Sequence, residues 1–381
     1  MDADKRDFKH DTAIRLPFAR AIRERDSLNI LKTIESDPAV AEIGPFHAAD
    51  LDAVTAIAPP AQAFLRSGWF EAADPGFSIV GARRADGTPV FALPLVDRKI
   101  GPFSIKQLAG SYWPFRSAPI ADNLADSELA AIIGEDAFQH ALGRVWRYGP
   151  VYSDDPAARR LMALAPGQGW HVVRKSLATC YELDLAALRA AGSWPKGSTA
   201  RKTRARERKL GDHGEVGYRF FDGTGLDAQT MDAMAAVEAN SWLARLDDGG
   251  DTKFLDPERR KIWETLSRDA ALAPMLFGSL MSVGETPIAF TFGLEIGNRR
   301  YYIANNYHED YAKFGPGKLS LYKDFEVATE RGVGTISWGA GDAGYKTDMG
   351  AEPGPEILDL LFVRGGALAA LLRPLFLRTG Q

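Results

Sequence analysis

Apolar and polar positions alternate most clearly at residues 288–295, where Ile288, Phe290, Phe292 and Leu294 interleave with Ala289, Thr291, Gly293 and Glu295. This period of two predicts a strand with one apolar face and one face of small or polar side chains, which leaves room for something to lie there. Gly297-Asn298 is a two-residue hairpin signal, and 300–306, rich in Tyr and Ile, reads as the returning strand. The period then lengthens. Leu319, Tyr322, Phe325, Val327 and Ala328 predict a helix that begins at Lys318 and closes at Gly332, and 334–338 reads as a short buried strand. Between strand and helix lies Phe314-Gly315-Pro316-Gly317-Lys318, whose glycines open backbone angles closed to other residues. Such a loop attracts anions, because unpaired amides and the positive end of the helix dipole point at one spot.

The rest of the chain reads as further strands and helices. Residues 28–34 predict a first strand and 48–57 a helix; 77–84 and 88–96 flank Asp86-Gly87, a strong hairpin signal, and 105–108 adds a third strand. A helix is expected over 127–145, a connection over 147–152, a helix over 156–164, a long strand over 170–183 and a junction over 186–197. Then come a strand at 215–221, a helix at 227–246 with Met231, Met234, Val237 and Trp242 inward, a helix at 257–271 and a strand at 275–283. The aromatic loop 111–115, with Trp113, either lines a pocket or packs an edge held by Pro114. The apolar run 367–377 is interrupted by Arg373 and Pro374 and falls short of the ~20 residues that span a bilayer, so it reads as a docked helix. Asp86-Gly87-Thr88-Pro89 is echoed by Gly284-Glu285-Thr286-Pro287, each opening the second strand of a hairpin, which points to two copies of one unit.

Length and composition narrow the class. A chain of 381 residues implies two or three domains, and 45% apolar with 25% charged residues is ordinary soluble globular material. Forty-six basic against 50 acidic residues give −4, which argues against a dedicated nucleic-acid binder. The single cysteine, Cys180, excludes internal disulfides and multi-cysteine metal sites, so no metal is expected, and it fits a reducing cytoplasm. It reads as a small core side chain. Residues 1–27 form a charged leader, expected to be partly mobile and without the apolar core of a signal peptide.

One segment departs from this balance. Residues 196–209 hold seven Lys/Arg against one acid, Glu207, in a predicted helix between Ser198 as N-cap and Gly211. Arg201, Arg204 and Arg208 share one face, and Lys202, Arg206 and Lys209 a neighbouring one. The segment reads as a solvated connecting helix, as a clamp for an anionic substrate, or, third, as a nucleic-acid contact. No Gly-x-Ser-x-Gly, His-Glu-x-x-His or Walker loop is present. Residues 339–344 fit Gly-x-Gly-x-x-Gly after a strand, but no long apolar helix follows, so a nucleotide fold is not expected.

The Thr-Pro-Ile-Ala hairpin, Asn306-Tyr307-His308, Tyr311-x-x-Phe314-Gly315-Pro316-Gly317, Trp338-Gly339-x-Gly341-Asp342 and Tyr345-Lys346, in this order, resemble the GNAT-fold acyltransferases of the CelD/BcsL group. The layout is also similar to the tandem-domain Fem-type aminoacyl-tRNA-dependent transferases. The resemblance covers 201–361 well and 64–183 more loosely. It implies an α/β (α+β) protein of tandem GNAT-like domains with mixed, mostly antiparallel sheets flanked by helices. Residues 28–185 would be a degenerate first copy that shapes the acceptor site, and 186–381 the transferase copy.

It further implies acetyl-CoA or another acyl-CoA as co-substrate, its pyrophosphate on the amides of Gly315, Gly317 and Lys318 with Asn306 nearby. The acceptor, an amine on a sugar, amino acid or polysaccharide precursor, would meet Arg201, Arg204, Trp113 and Tyr307. An amine attacking a thioester needs a base, an oxyanion partner and an acid for the thiolate. Asp342 is the candidate base, with Glu295 second, although loop capping explains Asp342 equally well. Tyr345 is the candidate acid, and Lys346 the partner of developing negative charge. A Fem-like transfer from charged tRNA and a non-catalytic scaffold in exopolysaccharide assembly are the alternatives.

Overall fold

The computed structural model describes residues 40–100, 103–110, 114–194, 197–246, 251–341 and 344–378. The leader 1–27 and the strand expected at 28–34 lie outside them. Residues 37–381 form one compact unit. In chain order it comprises β1 (Val40–Pro45), α1 (Ala48–Ala56), α2 (Ser67–Ala73), β2 (Ser78–Arg84), β3 (Pro89–Ile100), β4 (Phe103–Leu108), α3 (Asp126–Gly134), α4 (Asp136–Leu142), β5 (Val145–Tyr152), α5 (Pro156–Leu164) and β6 (Trp170–Asp184). There follow α6 (Leu185–Ala190), α7 (Gly197–Gly211), β7 (Val216–Asp222), α8 (Ala228–Ala239), α9 (Pro257–Arg268), β8 (Leu276–Val283), β9 (Thr286–Ile296), β10 (Arg299–Tyr307), α10 (Pro316–Glu330), β11 (Thr335–Ala340), α11 (Tyr345–Asp348), β12 (Glu352–Arg364) and α12 (Gly366–Arg378).

All twelve strands join one sheet in the order β1-β2-β3-β4-β5-β12-β6-β11-β10-β9-β8-β7. Every neighbouring pair is antiparallel except β4–β5 and β10–β11. Strands β1 to β5 run inward from one edge and β7 to β11 from the other, and the strand that follows each run has crossed over. β6 lies beside β11, and β12 lies beside β5. The two copies legible in the Thr-Pro echo are therefore woven through their last strands. The position 185/186, expected as a boundary, falls where β6 ends inside this shared sheet.

One core is common to both halves: Leu51 and Val54 of α1, Trp69 and Phe70 of α2, Met231 and Met234 of α8, and Trp263 of α9 pack with Phe290 and Phe292 of β9. A second core packs α3, α4 and α5 on β5 and β12 in the first half, and a third packs α10 and α6 on β10 and β11 in the second.

Four expectations are corrected. The helix over 127–145 is two helices, α3 and α4, and its end is already strand. The connection at 147–152 is β5, in which Gly149 and Pro150 break the apolar run at a shift of register. Strand β12 went unseen, because it opens on Pro-Gly-Pro and continues as an unbroken buried run from Ile357 to Val363; a strand covered on both faces does not alternate. Trp242, expected inward, is 51% exposed, since α8 stops at Ala239 and a 3-10 turn carries the tryptophan out.

The C-terminal α12 docks through Ala369, Leu368 and Leu372 on Val173, Leu361 and Val363. Among the described residues no helix is long and apolar enough to cross a membrane.

Candidate active site at the ends of β10 and β11

The parallel ladder of β10 and β11 joins Arg299–Tyr301 to Thr335–Ser337 and goes no further among the described residues. Beyond it β10 continues to Tyr307 along β9, and β11 continues to Ala340 beside Cys180 of β6. The two strands therefore part toward their carboxyl ends. The first half has the corresponding pair, with β4 joined to β5 only at Lys106 and Gln107 among the described residues. There, however, the chain itself enters the gap: Phe115 bridges Val151, and the Arg116 N–H donates to Pro150 O at 3.1 Å.

At the open end β10 passes through a 3-10 turn into α10. Gly315 adopts φ 64° and ψ 50°, closing the turn and starting the helix. Its own N–H donates to Ala312 O at 2.9 Å, which corrects the expectation that it serves an anion. Pro316 has no N–H, and Leu319 N–H returns to Gly315 O at 3.1 Å. The donors without an acceptor among the described residues are those of Gly317 and Lys318. Gly317 is buried, and a Cβ there would stand 3.1 Å from Tyr307 Cδ1 and 3.5 Å from Asn305 Oδ1, a buried oxygen with no hydrogen-bond partner. Tyr307 thus floors the cradle.

Arg206 completes it. Its Nη1 stands 3.5 Å from where a Cβ on Gly315 would be. Helix α7 has an inner side: Thr203 and Leu210 are buried, and Lys323 of α10 approaches Glu207 at 3.9 Å. This packed side sets Arg206 against the loop; Arg206, like Arg201 and Arg204, is itself exposed. Sequence reading put Arg206 on the neighbouring basic face and chose Arg201 and Arg204 for the site instead; the two apolar-side positions at a spacing of seven, with Arg206 between them, were the available signal.

The second loop meets the first. Lys318 Nζ lies 3.7 Å from Asp348 Oδ2, setting α11 beside the start of α10. Lys346 is buried, and its Nζ donates to the carbonyls of Trp338 (3.0 Å), Gly339 (3.4 Å), Ala340 (2.9 Å) and Gly341 (2.6 Å). The Gly341 N–H donates to Thr179 O at 3.0 Å. The ammonium therefore gathers the turn that leaves β11. Asp342 and Trp113 lie outside the described residues, as does the side chain of Tyr345.

Two sequence candidates are not brought to this end. Glu295 sits at the closed end of the strand pair, accepting from Arg300 Nε at 2.9 Å and approached by Arg331 Nη2 at 2.9 Å. The 15 residues of α10, about 22 Å of helix, separate that end from Gly317. Asn306 is buried on the side of α8, its Nδ2 3.5 Å from Glu238 Oε1. Glu238 in turn accepts the N–H groups of Lys253, Phe254 and Leu255 at 2.7–2.8 Å, and burial raises its carboxyl above the usual range.

Beneath the gap is an aromatic wall. The Tyr301 ring lies 5.4 Å from Phe115 and 5.8 Å from Tyr152, and Tyr152 Oη stands 3.3 Å from Ser337 Oγ on β11. Burial pushes the Tyr301 phenol up to about 12 and the Cys180 thiol up to about 11, so neither ionises near neutrality.

Parted parallel strands with a glycine-led helix start at their open end, as at β10, β11 and α10, are those of the GNAT fold; the first half repeats the parted pair with its gap filled by chain. Residues 197–347 match the model of the acetyltransferase (GNAT) domain. No curated protein matches the sequence. Among solved structures the chain is similar to FemX, at 12% identity and a TM-score of 0.58 over 87% of this chain and 100% of that one. It is also similar to L-PGS from Bacillus licheniformis, at 13% identity and 0.51 over 87% and 96%. At these identities the likeness is one of fold.

Proposed function

We propose that the protein is an acyl-CoA-dependent N-acyltransferase of the CelD/BcsL kind, acting on an amine of a sugar, amino acid or polysaccharide precursor. The observation that carries this reading is the gap between β10 and β11, open in the second half and filled by chain in the first. The residues at its mouth fit a diphosphate: two unpaired amides, the Arg206 guanidinium and a glycine whose Cβ would press on Tyr307. Acyl-CoA supplies the thioester. The amine attacks its carbonyl carbon, the C–N bond forms, the C–S bond breaks, the proton of the amine passes to the base and the thiolate takes one from the acid.

Asp342 is assigned as base and Tyr345, which opens α11, as acid on their place in the chain after β11. Lys346 acts on the same loop, by fixing the carbonyls that precede Asp342. Single-turnover assays with Asp342→Asn and Tyr345→Phe test the assignment; unchanged turnover in both removes them as base and acid. A second reading, with aminoacyl-tRNA as donor, is favoured by one feature, the exposed Arg201, Lys202, Arg204 and Arg208 of α7 beside α10. Filter binding of tRNA across a salt series separates the two: no binding even at low salt removes the tRNA donor.

A further inference from the structure

The first half carries a cluster of guanidinium groups that the transfer chemistry does not use. Arg98 of β3, Arg147 of β5 and Arg116, on the chain between β4 and α3, gather where β4 ends. Arg98 Nη2 donates to Asp74 Oδ1 at 2.5 Å, and the other Asp74 oxygen accepts the Gly110 N–H at 2.8 Å. Arg147 grips Asp359 with Nε and Nη2 at 2.7 and 2.6 Å. Three cations meet two carboxylates, a net charge of +1. Arg98 and Arg147 are 42% and 31% exposed, but Asp74 and Asp359 only 13% and 4%, so the negative charge lies below and the positive charge at the opening.

Arg116 carries the unmatched charge. Its Nε donates to Gly110 O, and among the described residues it makes no ion pair. Burial lowers its tendency to stay charged, and Arg147 and Arg98 push the same way against Asp74 and Asp359. A planar fork of donors held in this setting is completed by an oxyanion, which binds it through paired hydrogen bonds.

The position links this cluster to the open gap. Arg116 stands in the filled gap of the first half, next in the chain to Phe115. The Phe115 ring lies 6.1 Å from that of Tyr152, whose hydroxyl is 3.3 Å from Ser337 on β11. A short row of side chains thus runs from Arg116 to the strand that borders the proposed transfer site.

We propose that Arg116, flanked by Arg98 and Arg147, binds an oxyanion of the acceptor, a carboxylate or a phosphate, so that the acceptor is an acidic amine. The role as acceptor site rests on the transferase reading; the oxyanion site does not. The donor then occupies the open gap of the second half, and the acidic end of the acceptor lies against the guanidinium cluster beside the filled gap of the first.

The test uses the full chain as wild type, Arg116→Gln and Arg116→Lys, at constant ionic strength in chloride. Inorganic phosphate in one arm and succinate in another are titrated by calorimetry, and acetyl-CoA is titrated separately. Saturable binding of at least one oxyanion is expected, weakened on the order of tenfold or more by Arg116→Gln and partly kept by Arg116→Lys. The same substitution is expected to raise KM for acidic amines while kcat and the KM of acetyl-CoA hold. Equal oxyanion binding by wild type and Arg116→Gln, or no saturable binding of either ion to wild type, overturns the proposal; should Arg116→Gln not fold, the Lys variant must show the weakening. Oxyanion binding without acetyl-CoA binding sinks the transferase reading and leaves this site standing.

Discussion

Lys346 offers a sharp test of how the second loop is held. In Lys346→Met the side chain keeps its approximate length and loses its three donors. The four carbonyls within 3.4 Å do not respond alike. Ala340 and Gly341 are exposed, so their oxygens rehydrate at little cost, whereas Trp338 is buried and its oxygen loses its ammonium donor. Loss of a charged hydrogen-bond donor at a buried carbonyl costs about 1–3 kcal/mol, and release of a buried ammonium offsets part of any further loss. A global destabilisation of about 1–3 kcal/mol is expected in urea unfolding, small against a typical domain stability of roughly 5–15 kcal/mol. The local effect is expected to be larger. The Gly341 N–H, bonded to Thr179 O, should lose most of its protection in hydrogen exchange, while amides in β9 keep theirs. Turnover should fall further than the stability change explains, because Asp342 follows the freed turn, and Lys346→Arg should not restore it, since a planar guanidinium cannot reach four convergent carbonyls. Wild-type protection at Gly341 in a folded Lys346→Met protein would refute the reasoning.

Three further outcomes follow from the geometry. Gly317→Val should weaken acetyl-CoA by tenfold or more with intact folding, because its side chain enters the space 3.1 Å from the Tyr307 ring; isothermal titration reads this directly. Glu295→Gln should lower stability by about 1–3 kcal/mol through the buried Arg300 it serves, and should leave the acetyl-CoA affinity unchanged. Asp155, which caps α5 and accepts from Ser117 Oγ at 2.7 Å, has its carboxyl raised by burial from 3.8 to about 6. The folded state then holds a proton that the unfolded state has lost, so stability falls as pH rises from about 4 through about 6, by about 3 kcal/mol for a shift near two units. Urea unfolding across that window should show this slope in wild type and lose it in Asp155→Asn; an identical slope in the two would contradict the assignment.

What the chain revealed on reading followed from local physics. The β9–β10 hairpin, α10 and β11 stand where alternation, Gly297-Asn298 and the glycine punctuation put them, because each is decided within a dozen residues. The crossing of β6 and β12 was not legible, since it depends on pairings more than two hundred residues apart, such as Arg147 with Leu361. The site divides in the same way. Gly317 and Lys318 could be read from a helix start, but Arg206 reaches Gly315 only through the packing of Thr203 and Leu210. Glu295 drew notice as an acid on the small-residue face, and the fold commits it to Arg300 and Arg331 instead.

The central claim is that the gap between β10 and β11 receives an acyl-CoA with its diphosphate at Gly317, Lys318 and Arg206. Isothermal titration of acetyl-CoA into the folded wild-type protein, beside Arg206→Gln, tests it most directly. One molecule bound per chain, with affinity reduced roughly tenfold or more in the variant and weakened by salt, is the predicted result. No heat of binding to wild type, or equal affinity in both proteins, would contradict it.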